Sequence, residues 1–243
     1  MSAQTTTGDN MTDIAQVLAR FEARHIAHLA PFMARNDIRY YLCGLCIEKA
    51  EQGGVYLITT DGHSMAVVYD ATGMIEGTDR VVIAMPTALV AAAKRAKPIA
   101  GLPQQVLLTG KRVRIALDFD CSDAGESYVQ AGDSLVEGKF PSWRAVTPEF
   151  DKLKRGAFTG AEGVNAVYLA RCAKLVSNKR FCGLSFWQAE PRKAVVIQAD
   201  AVPEMFVIIM PMMGDADDVQ RGKFTPFVGR PKAKAAEAVA EAV

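Results

Sequence analysis

The chain has 243 residues, of which 50% are hydrophobic and 23% charged, and its formal net charge at pH 7 is +1. A chain of this length and composition can bury a sizeable core, which excludes a wholly disordered protein. The sequence has no apolar run of the roughly eighteen residues that a membrane span needs, and its N-terminus lacks the basic and apolar regions of a signal peptide. We therefore expect a cytoplasmic protein without a membrane partner, and five cysteines in such a chain indicate reduced thiols.

The first patterned segment, residues 13–32, allows two interpretations. Its apolar residues follow a helical stripe, but residues 13–18 also suit a short strand that leads into a helix from about position 19. In that helix Arg20 and Arg24 would lie on the same flank, since residues four apart are neighbours on a helix surface. Pro31 should end the helix, because proline cannot continue the hydrogen-bond ladder.

A β-hairpin follows, and it ends in an unusually polar sequence. Residues 41–48 alternate with the period of two that is typical of a half-buried strand. Gly53 and Gly54 supply the turn, and the second strand runs into residues 59–66, TTDGHSMA. We call residues 59–66 the corner, and we expect functional side chains there.

The order of strand, helix and three strands then recurs. A second round begins with a strand at residues 80–85 and an alanine-rich helix that starts after Pro86, where proline is tolerated. A third round has a strand at residues 155–159, a helix at residues 164–176 and further strands after it. The sequence therefore predicts an α+β fold of about three such units, although no residue-level repeat is visible.

Several short sequences, taken together and in order, resemble the bacterial sliding clamps, the β subunits of the replicative DNA polymerase. That family has an RYYL strand, an ATDGHRLA corner, a GRFPDYRRVLP connection and a terminal VMPMRL. The counterparts here are DIRYYLCGLCIE with TTDGHSMAV, VEGKFPSWRAVTP and VIIMPM, and SNKRFCGLSF resembles the family's SNEKFRGVRL. The resemblance covers about Asp13 to Met212 and implies a protein without catalytic activity.

The resemblance also predicts how the chain is divided. Residues 13–148 resemble the middle clamp domain with its two units, and residues 149–213 resemble part of the C-terminal domain, with one unit. Residues 1–12 would be a flexible N-terminus and residues 214–243 a mobile appendage. The family's first domain and half of its last have no counterpart here. Because a clamp ring has twelve units, a ring of such chains would need four copies, and we expect a homo-oligomer.

Basic residues are concentrated on some elements, and the resemblance implies that they contact duplex DNA. Residues 81–117 contain six basic side chains and no acid, and residues 164–180 contain four and no acid. The family lines its ring with helices, so basic helix faces would hold phosphates without reading the base sequence. Solvated helix faces are the alternative. The expected DNA-binding residues are Arg20, Arg24, Arg39, Tyr40, Lys94, Arg95, Lys97 and Lys174.

The segment from Arg39 to Tyr41 and the helix residue Arg171 each allow more than one interpretation. Arg39 and Tyr40 match the RYY with which the family contacts DNA, and an aromatic ring next to a cation can stack on bases. Tyr41 lies on an apolar face of its strand and can be a core residue instead. Arg171 shares the basic bias of its helix but falls inside the apolar arc, so it is not in the expected set.

The resemblance further implies a hydrophobic groove that receives short linear peptides from polymerases and other clamp-binding proteins. The corner, the connection around Pro141 and the strand near Met210 match its three walls, and methionine and proline suit a surface that adapts to several ligands. Ser64 replaces the family's arginine, and Met213 with Gly214 replaces the terminal Arg-Leu, which indicates a less basic groove. The expected groove residues are Leu42, Thr60, Gly62, His63, Met65, Pro141, Val146, Ile208, Met210, Pro211 and Met212.

Catalytic and metal-site interpretations are weaker. Asp61 and His63 could form an acid–base pair, yet neither a nucleophile nor an orienting third group accompanies them. Cys43 and Cys46 are an odd number of positions apart on the predicted strand, so they would point to opposite faces and could not share a zinc ion. The sequence has no phosphate-binding glycine loop, and we expect no cofactor.

The sequence thus predicts a sliding-clamp-like processivity factor. Its expected partners are duplex DNA, a DNA polymerase or other clamp-binding proteins, and further copies of the chain. One alternative is a clamp-derived adaptor or decoy that keeps the groove but does not encircle DNA. A hydrolase at Asp61 and His63 is a weaker alternative.

Overall fold

The structure is a computed structural model that describes residues 17–116, 128–130, 132–155, 162–175, 183–190 and 193–213. The predicted N-terminal segment, the C-terminal appendage and most of the strand predicted at residues 155–159 lie outside these residues. The strands and helices in chain order are β1 Val17–Glu22, α1 Arg24–Leu29, β2 Gly44–Lys49, β3 Val55–Thr60, β4 Ser64–Asp70, β5 Met74–Ile75, β6 Arg80–Ala84, α2 Thr87–Arg95, β7 Gln105–Thr109, β8 Arg112–Ala116, β9 Tyr128–Val129, β10 Lys154–Arg155, β11 Glu162–Gly163, α3 Ala166–Cys172, β12 Leu184–Gln188, β13 Val195–Ala199, β14 Met205–Ile209 and β15 Met212–Met213.

The strands form two antiparallel sheets and a short ribbon. The smaller sheet has the order β5-β1-β7-β8-β9, and the larger has the order β10-β12-β13-β14-β4-β3-β2-β6. β11 and β15 pair with each other as the ribbon. The larger sheet therefore contains strands from both sides of residue 148, where the sequence predicts a domain boundary. The division into domains stays a prediction.

The order of elements follows the predicted α+β pattern. The first two rounds are present as β1-α1-β2-β3-β4 and β6-α2-β7-β8-β9, and in the third round α3 is followed by β12, β13 and β14. The strands before α3 are the short β10 and β11, and the short β5 was not predicted. No helix in the described part of the chain is long and apolar enough to cross a membrane.

One hydrophobic cluster joins both sheets and all three helices. It contains Phe21 of β1, Ile26 of α1, Leu57 of β3, Leu89 of α2 and Cys172 of α3, each of which is at most 1% exposed. Removing a side chain of this kind from water stabilises the fold by about 1.5–3 kcal/mol before entropy is counted. The helices are therefore held by their apolar faces against the sheets.

A second cluster lies on the opposite face of the larger sheet. It includes Cys46, Ile58 and Val67, which alternate along their strands with members of the first cluster. Phe140 and Trp143, from the segment before β10, are buried in this second cluster. The central strands β2, β3, β4, β13 and β14 of the larger sheet are consequently buried on both faces.

The strand predicted at residues 41–48 is shorter and more buried than expected. Residues Tyr40–Cys43 form a 3₁₀ turn, and β2 begins only at Gly44. Tyr41 and Cys43 pack against the second cluster, whereas Leu45 belongs to the first. The prediction of a half-buried strand is wrong because the segment around Phe140 covers the face that was expected to meet solvent.

The first patterned segment folds as a strand followed by a short helix. Arg20 lies in β1 and Arg24 begins α1, so the prediction that both lie on one helix flank is wrong. The pairing of β1 with β7 explains the difference, since it buries Ala19 and Phe21, which a helix from position 19 would have withdrawn from the sheet. The predicted end of the helix is confirmed, because α1 stops at Leu29 and Pro31 lies in the next 3₁₀ turn.

Glu48 anchors the segment that covers the larger sheet. Its carboxylate, on β2, accepts hydrogen bonds from Arg80 of β6 and from Arg144 and Trp143 Nε1 of the covering segment. The guanidinium of Arg144 also lies over the rings of Trp143 and Tyr56. Burial would raise the pKa of Glu48, but the bonds from Arg144 and Arg80 outweigh it and hold that pKa below its ordinary value.

Replacing Glu48 by glutamine should lower the free energy of unfolding by about 1–3 kcal/mol, because two guanidinium groups lose their carboxylate. Urea denaturation at neutral pH measures the loss. Since the folded-state pKa is lowered, the carboxylate stabilises the fold above its unfolded pKa, and that contribution disappears as the pH falls through the folded pKa. The difference between wild type and Glu48→Gln should therefore shrink in acid.

The matched control is Glu51→Gln, which changes an exposed carboxylate just beyond β2. It should leave the unfolding midpoint within about 0.5 kcal/mol of wild type. Equal effects of the two substitutions would show that Glu48 does not anchor the covering segment.

Candidate functional site

The corner is a tight turn between β3 and β4 that is organised by one carboxylate. Oδ1 of Asp61 accepts hydrogen bonds from the backbone N–H of His63 at 3.0 Å and from the backbone N–H of Ser64 at 2.7 Å. The turn needs Gly62, whose φ is +90°. A Cβ at Gly62 would also lie 3.3 Å from the guanidinium of Arg39, so this glycine lets the arginine approach the turn.

Helix α3 is tied to the corner through Arg171. The guanidinium of Arg171 donates to Asp61 Oδ2 and, at 2.8 Å, to Ser64 Oγ, and it lies over the ring of Tyr168. Burial would raise the pKa of Asp61, but the Ser64 and His63 N–H groups and the Arg171 guanidinium outweigh it and keep that pKa low. Arg171 therefore has a structural partner, in agreement with its place inside the apolar arc of the helix.

The end of β14 meets the corner directly. β14 pairs with β4 in a register that sets Ile209 opposite Ser64 and Ile208 opposite Met65. The backbone N–H of Met210 then donates to the carbonyl of His63 at 3.0 Å. Residues that are far apart in sequence thus form adjacent walls of one surface.

A cleft of about 150 Å³ opens at this junction, and we call it the groove. Of the eleven predicted groove residues, nine line it, and Pro211 and Met212 do not. Its floor is buried, as at Leu42 and Met65, whereas Val146 and Met210 at its edge are 46% and 45% exposed. The nine predicted residues that line the groove are Leu42, Thr60, Gly62, His63, Met65, Pro141, Val146, Ile208 and Met210.

Five further residues line the groove that the sequence did not single out for it: Arg39, Ser64, Phe140, Ser142 and Trp143. Phe140 precedes Pro141 directly and Trp143 follows it by two positions in the FPSW sequence. Aromatic residues so close to a predicted groove wall were the signal that could have identified them. Both are buried and hold the covering segment to the sheet. Glu48 acts on the same segment, so the position of Pro141 and Val146 depends on it.

The predicted DNA-binding residues fall into separate groups. Lys94 and Arg95 end α2, Lys97 follows it, and all three are exposed. Lys174, in the turn after α3, is also exposed. These four side chains are free to meet a phosphate backbone, but their role with DNA stays a prediction.

Arg20 and Arg24 are less available. Arg20 lies on β1 and is half-buried. Arg24 donates to Glu22 and forms an ion pair of 2.7 Å with Glu204. The partial burial of Arg20 and the two acidic partners of Arg24 make them weaker candidates for phosphate than the exposed lysines.

Arg39, Tyr40 and Tyr41 follow the predicted distinction. Tyr40 is 58% exposed, whereas Tyr41 packs against the second cluster. Arg39 is exposed, but one edge of its guanidinium is engaged by Asp37, to which its Nε and Nη2 donate at 3.0 and 2.8 Å. Arg39 pairing lowers the pKa of Asp37 to about 2.

The arrangement does not support hydrolytic or metal chemistry at these residues. Both oxygens of Asp61 are occupied by the turn and by Arg171, and His63 stacks on Tyr168 with ring centroids 6.4 Å apart. Burial raises the pKa of the Cys46 thiol to about 12, so it stays protonated. Among the described residues, no three His, Cys, Asp or Glu side chains are placed to hold a metal ion.

No protein-family model matches the chain. Over 180 residues, which are 72% of the chain, it is 26% identical to the beta sliding clamp of Vibrio cholerae serotype O1. The chain is a relative of the bacterial sliding clamps. It spans 44% of the length of that Vibrio clamp.

Solved clamp structures share the fold of this clamp-like protein. The DNA polymerase sliding clamp from Pseudomonas aeruginosa matches with a TM-score of 0.56 and 17% identity, covering 81% of this chain and 66% of that one. The sliding clamp from Bartonella birtlesii, solved with griselimycin bound, matches with a TM-score of 0.58 and 16% identity, covering 87% and 69%. These matches confirm the sliding-clamp-like α+β fold.

Replacing Arg171 by glutamine should loosen the corner of the clamp-like protein, because Asp61 keeps its turn hydrogen bonds but loses its cation. We expect amide hydrogen exchange at residues 62–64 to accelerate about 3- to 10-fold, as a lost charge-assisted bond would give. Exposed Lys174, close by in sequence, supplies the control variant Lys174→Gln, which should leave these amides unchanged. Equal exchange rates in wild type and Arg171→Gln would rule out this role of the ion pair.

Proposed function

We propose that this protein is a sliding-clamp-like processivity factor, which binds duplex DNA without sequence specificity and docks a polymerase or another replication or repair protein in the groove. The observation that carries the proposal is that nine predicted groove residues, from three distant parts of the chain, line one cleft. The relationship to sliding clamps supports it. The proposed activity is non-enzymatic, and DNA replication would place it in the cytoplasm.

The groove has the surface chemistry of a peptide-docking site. Met65, Met210, Val146 and Ile208 give it flexible and aliphatic walls, and Pro141 adds a rigid one. An extended peptide can place alternate apolar side chains in such a cleft. Methionine side chains adapt to differently shaped anchors, which suits a site with more than one client.

The proposed DNA surface rests on the exposed lysines and arginine at the end of α2. Lys94, Arg95 and Lys97 have no acidic partner among the described residues. Contacts of this kind hold phosphates at any base sequence, so they permit sliding. Encirclement further requires that several copies of the chain close into a ring.

We propose that griselimycin, the ligand of the Bartonella clamp structure, binds in the groove of this protein. Met210→Gln should then weaken that binding by about 5- to 30-fold, because a polar amide replaces an apolar wall of the groove. Isothermal titration measures the affinity. Met212→Gln is the matched control, since Met212 is comparably exposed, at 55%, but does not line the groove. Equal affinity of wild type and Met210→Gln, or no binding by wild type, would contradict the proposed groove.

Replacing both Lys94 and Lys97 by glutamine should weaken binding to duplex DNA, because two phosphate contacts are lost. The slope of log affinity against log salt should fall by about two, at roughly 0.9 for each phosphate contact. Fluorescence anisotropy with two unrelated duplexes measures both quantities, and the loss should be the same for both sequences.

The control pair is Lys49→Gln with Lys139→Gln, which removes the same charge from exposed positions outside the predicted DNA-binding set. An equal loss in the two pairs would mean that the surface is not defined by α2.

Retention on circular but not on linearised plasmid separates encirclement from lateral binding. A monomer that keeps the groove but is lost from both plasmids would contradict the ring.

A further inference from the structure

A second, polar cleft of about 610 Å³ lies between the corner and helix α3. Its lining combines residues between Pro31 and Arg39, Asp61 and His63 of the corner, and four residues of α3 and the turn after it, which are Val167, Ala170, Arg171 and Lys174. Four of its lining side chains are basic and two are acidic. The basic residues are Arg35, Arg39, Arg171 and Lys174, and the acidic ones are Asp37 and Asp61.

The two acids are already neutralised by two of the bases. Asp37 forms a bidentate salt bridge with Arg39, and Asp61 forms a salt bridge with Arg171. The pKa of each carboxyl is lowered by these contacts, so both acids stay ionised and both arginines stay paired. The charges of these four residues therefore cancel within the cleft.

Arg35 and Lys174 remain as the excess positive charge. Both are exposed, and within the described part of the chain neither forms an ion pair. They come from two different segments of the cleft lining, one before the turn at Tyr40–Cys43 and one after α3. An anionic group that enters the cleft would therefore be attracted by two cations that have no acidic partners of their own in the described ranges.

The cleft adjoins the groove. Arg39 and His63 line both, and they form the partition between an apolar surface and a basic one. An extended peptide advances about 3.3 Å per residue, so a segment anchored in the groove reaches the cleft within a few residues. A carboxylate at that position would bring the complementary charge.

We infer that the polar cleft is a specificity subsite that selects partners with acidic residues next to their apolar anchors, through Arg35 and Lys174. The inference rests on the proposed function of the groove and names the chemistry of the partner. A peptide is favoured over a nucleic-acid strand because the cleft adjoins a groove whose floor is apolar, at Leu42 and Met65, and therefore suits side-chain anchors rather than a phosphate backbone. The paired Arg39 and Arg171 shape the cleft, while the unpaired residues supply the attraction.

The test uses synthetic fluorescent peptides of about ten residues, in which Leu, Met and Phe anchors are followed by three Glu or by three Gln. A second pair of peptides carries the Glu or Gln residues before the anchors. Wild type should bind the better-oriented Glu peptide about 3- to 10-fold more tightly than its Gln counterpart at low salt, with the preference lost at high salt. In Arg35→Gln with Lys174→Gln, this preference should vanish while the Gln peptide binds as before. The matched variant Lys94→Gln with Lys97→Gln should keep the preference.

Each other outcome counts against the inference. Binding of Glu and Gln peptides with equal affinity would overturn the subsite and leave the groove standing, whereas no binding of any peptide would overturn both. If a single-stranded oligonucleotide displaces the Glu peptide from wild type but binds the Arg35→Gln, Lys174→Gln protein poorly, the cleft serves a nucleic acid. A preference that survives in this double variant would place the acid-recognition site elsewhere.

Discussion

The antiparallel pairing of β4 with β14 is the interaction on which the rest of the structure depends. Its register sets Val207 opposite Ala66 in the first hydrophobic cluster and Ile208 opposite Met65 in the second. A slip by one residue would exchange these faces and move apolar side chains out of both clusters. The same register brings Met210 against the corner, so the groove is a direct product of this pairing.

Carboxylates with little solvent exposure hold in place the loops and segment ends that the apolar clusters do not position. Glu48 holds the covering segment, Asp61 holds the corner to α3, and Asp70 accepts the backbone N–H of Glu22 at the end of β1. Each receives several donors, and each has its pKa lowered. Hydrophobic burial brings the elements together without direction, whereas these charge-assisted bonds select one arrangement of the loops.

Features that depend on neighbouring residues, such as turns and helix ends, were predictable from the sequence. Features that depend on pairing between distant segments were not. The corner was predictable because Asp61 and Gly62 carry turn geometry in adjacent residues, and so was the end of α1 at a proline. The strand at Arg20 was missed because β1 is held by its pairing with β7 and β5, which local sequence does not show. The Arg171–Asp61 pair joins positions 110 residues apart, and helical periodicity showed only that Arg171 does not face solvent.

The long separation of β4 from β14 also has a kinetic consequence. Contacts between distant parts of a chain form late, because closing a long loop costs entropy before the contact repays it. During synthesis the groove cannot assemble until the chain has been made through Met210, although β2, β3 and β4 are complete much earlier. A client protein that needs the complete groove would therefore recognise only chains that have been synthesised through Met210 and have paired β14 with β4.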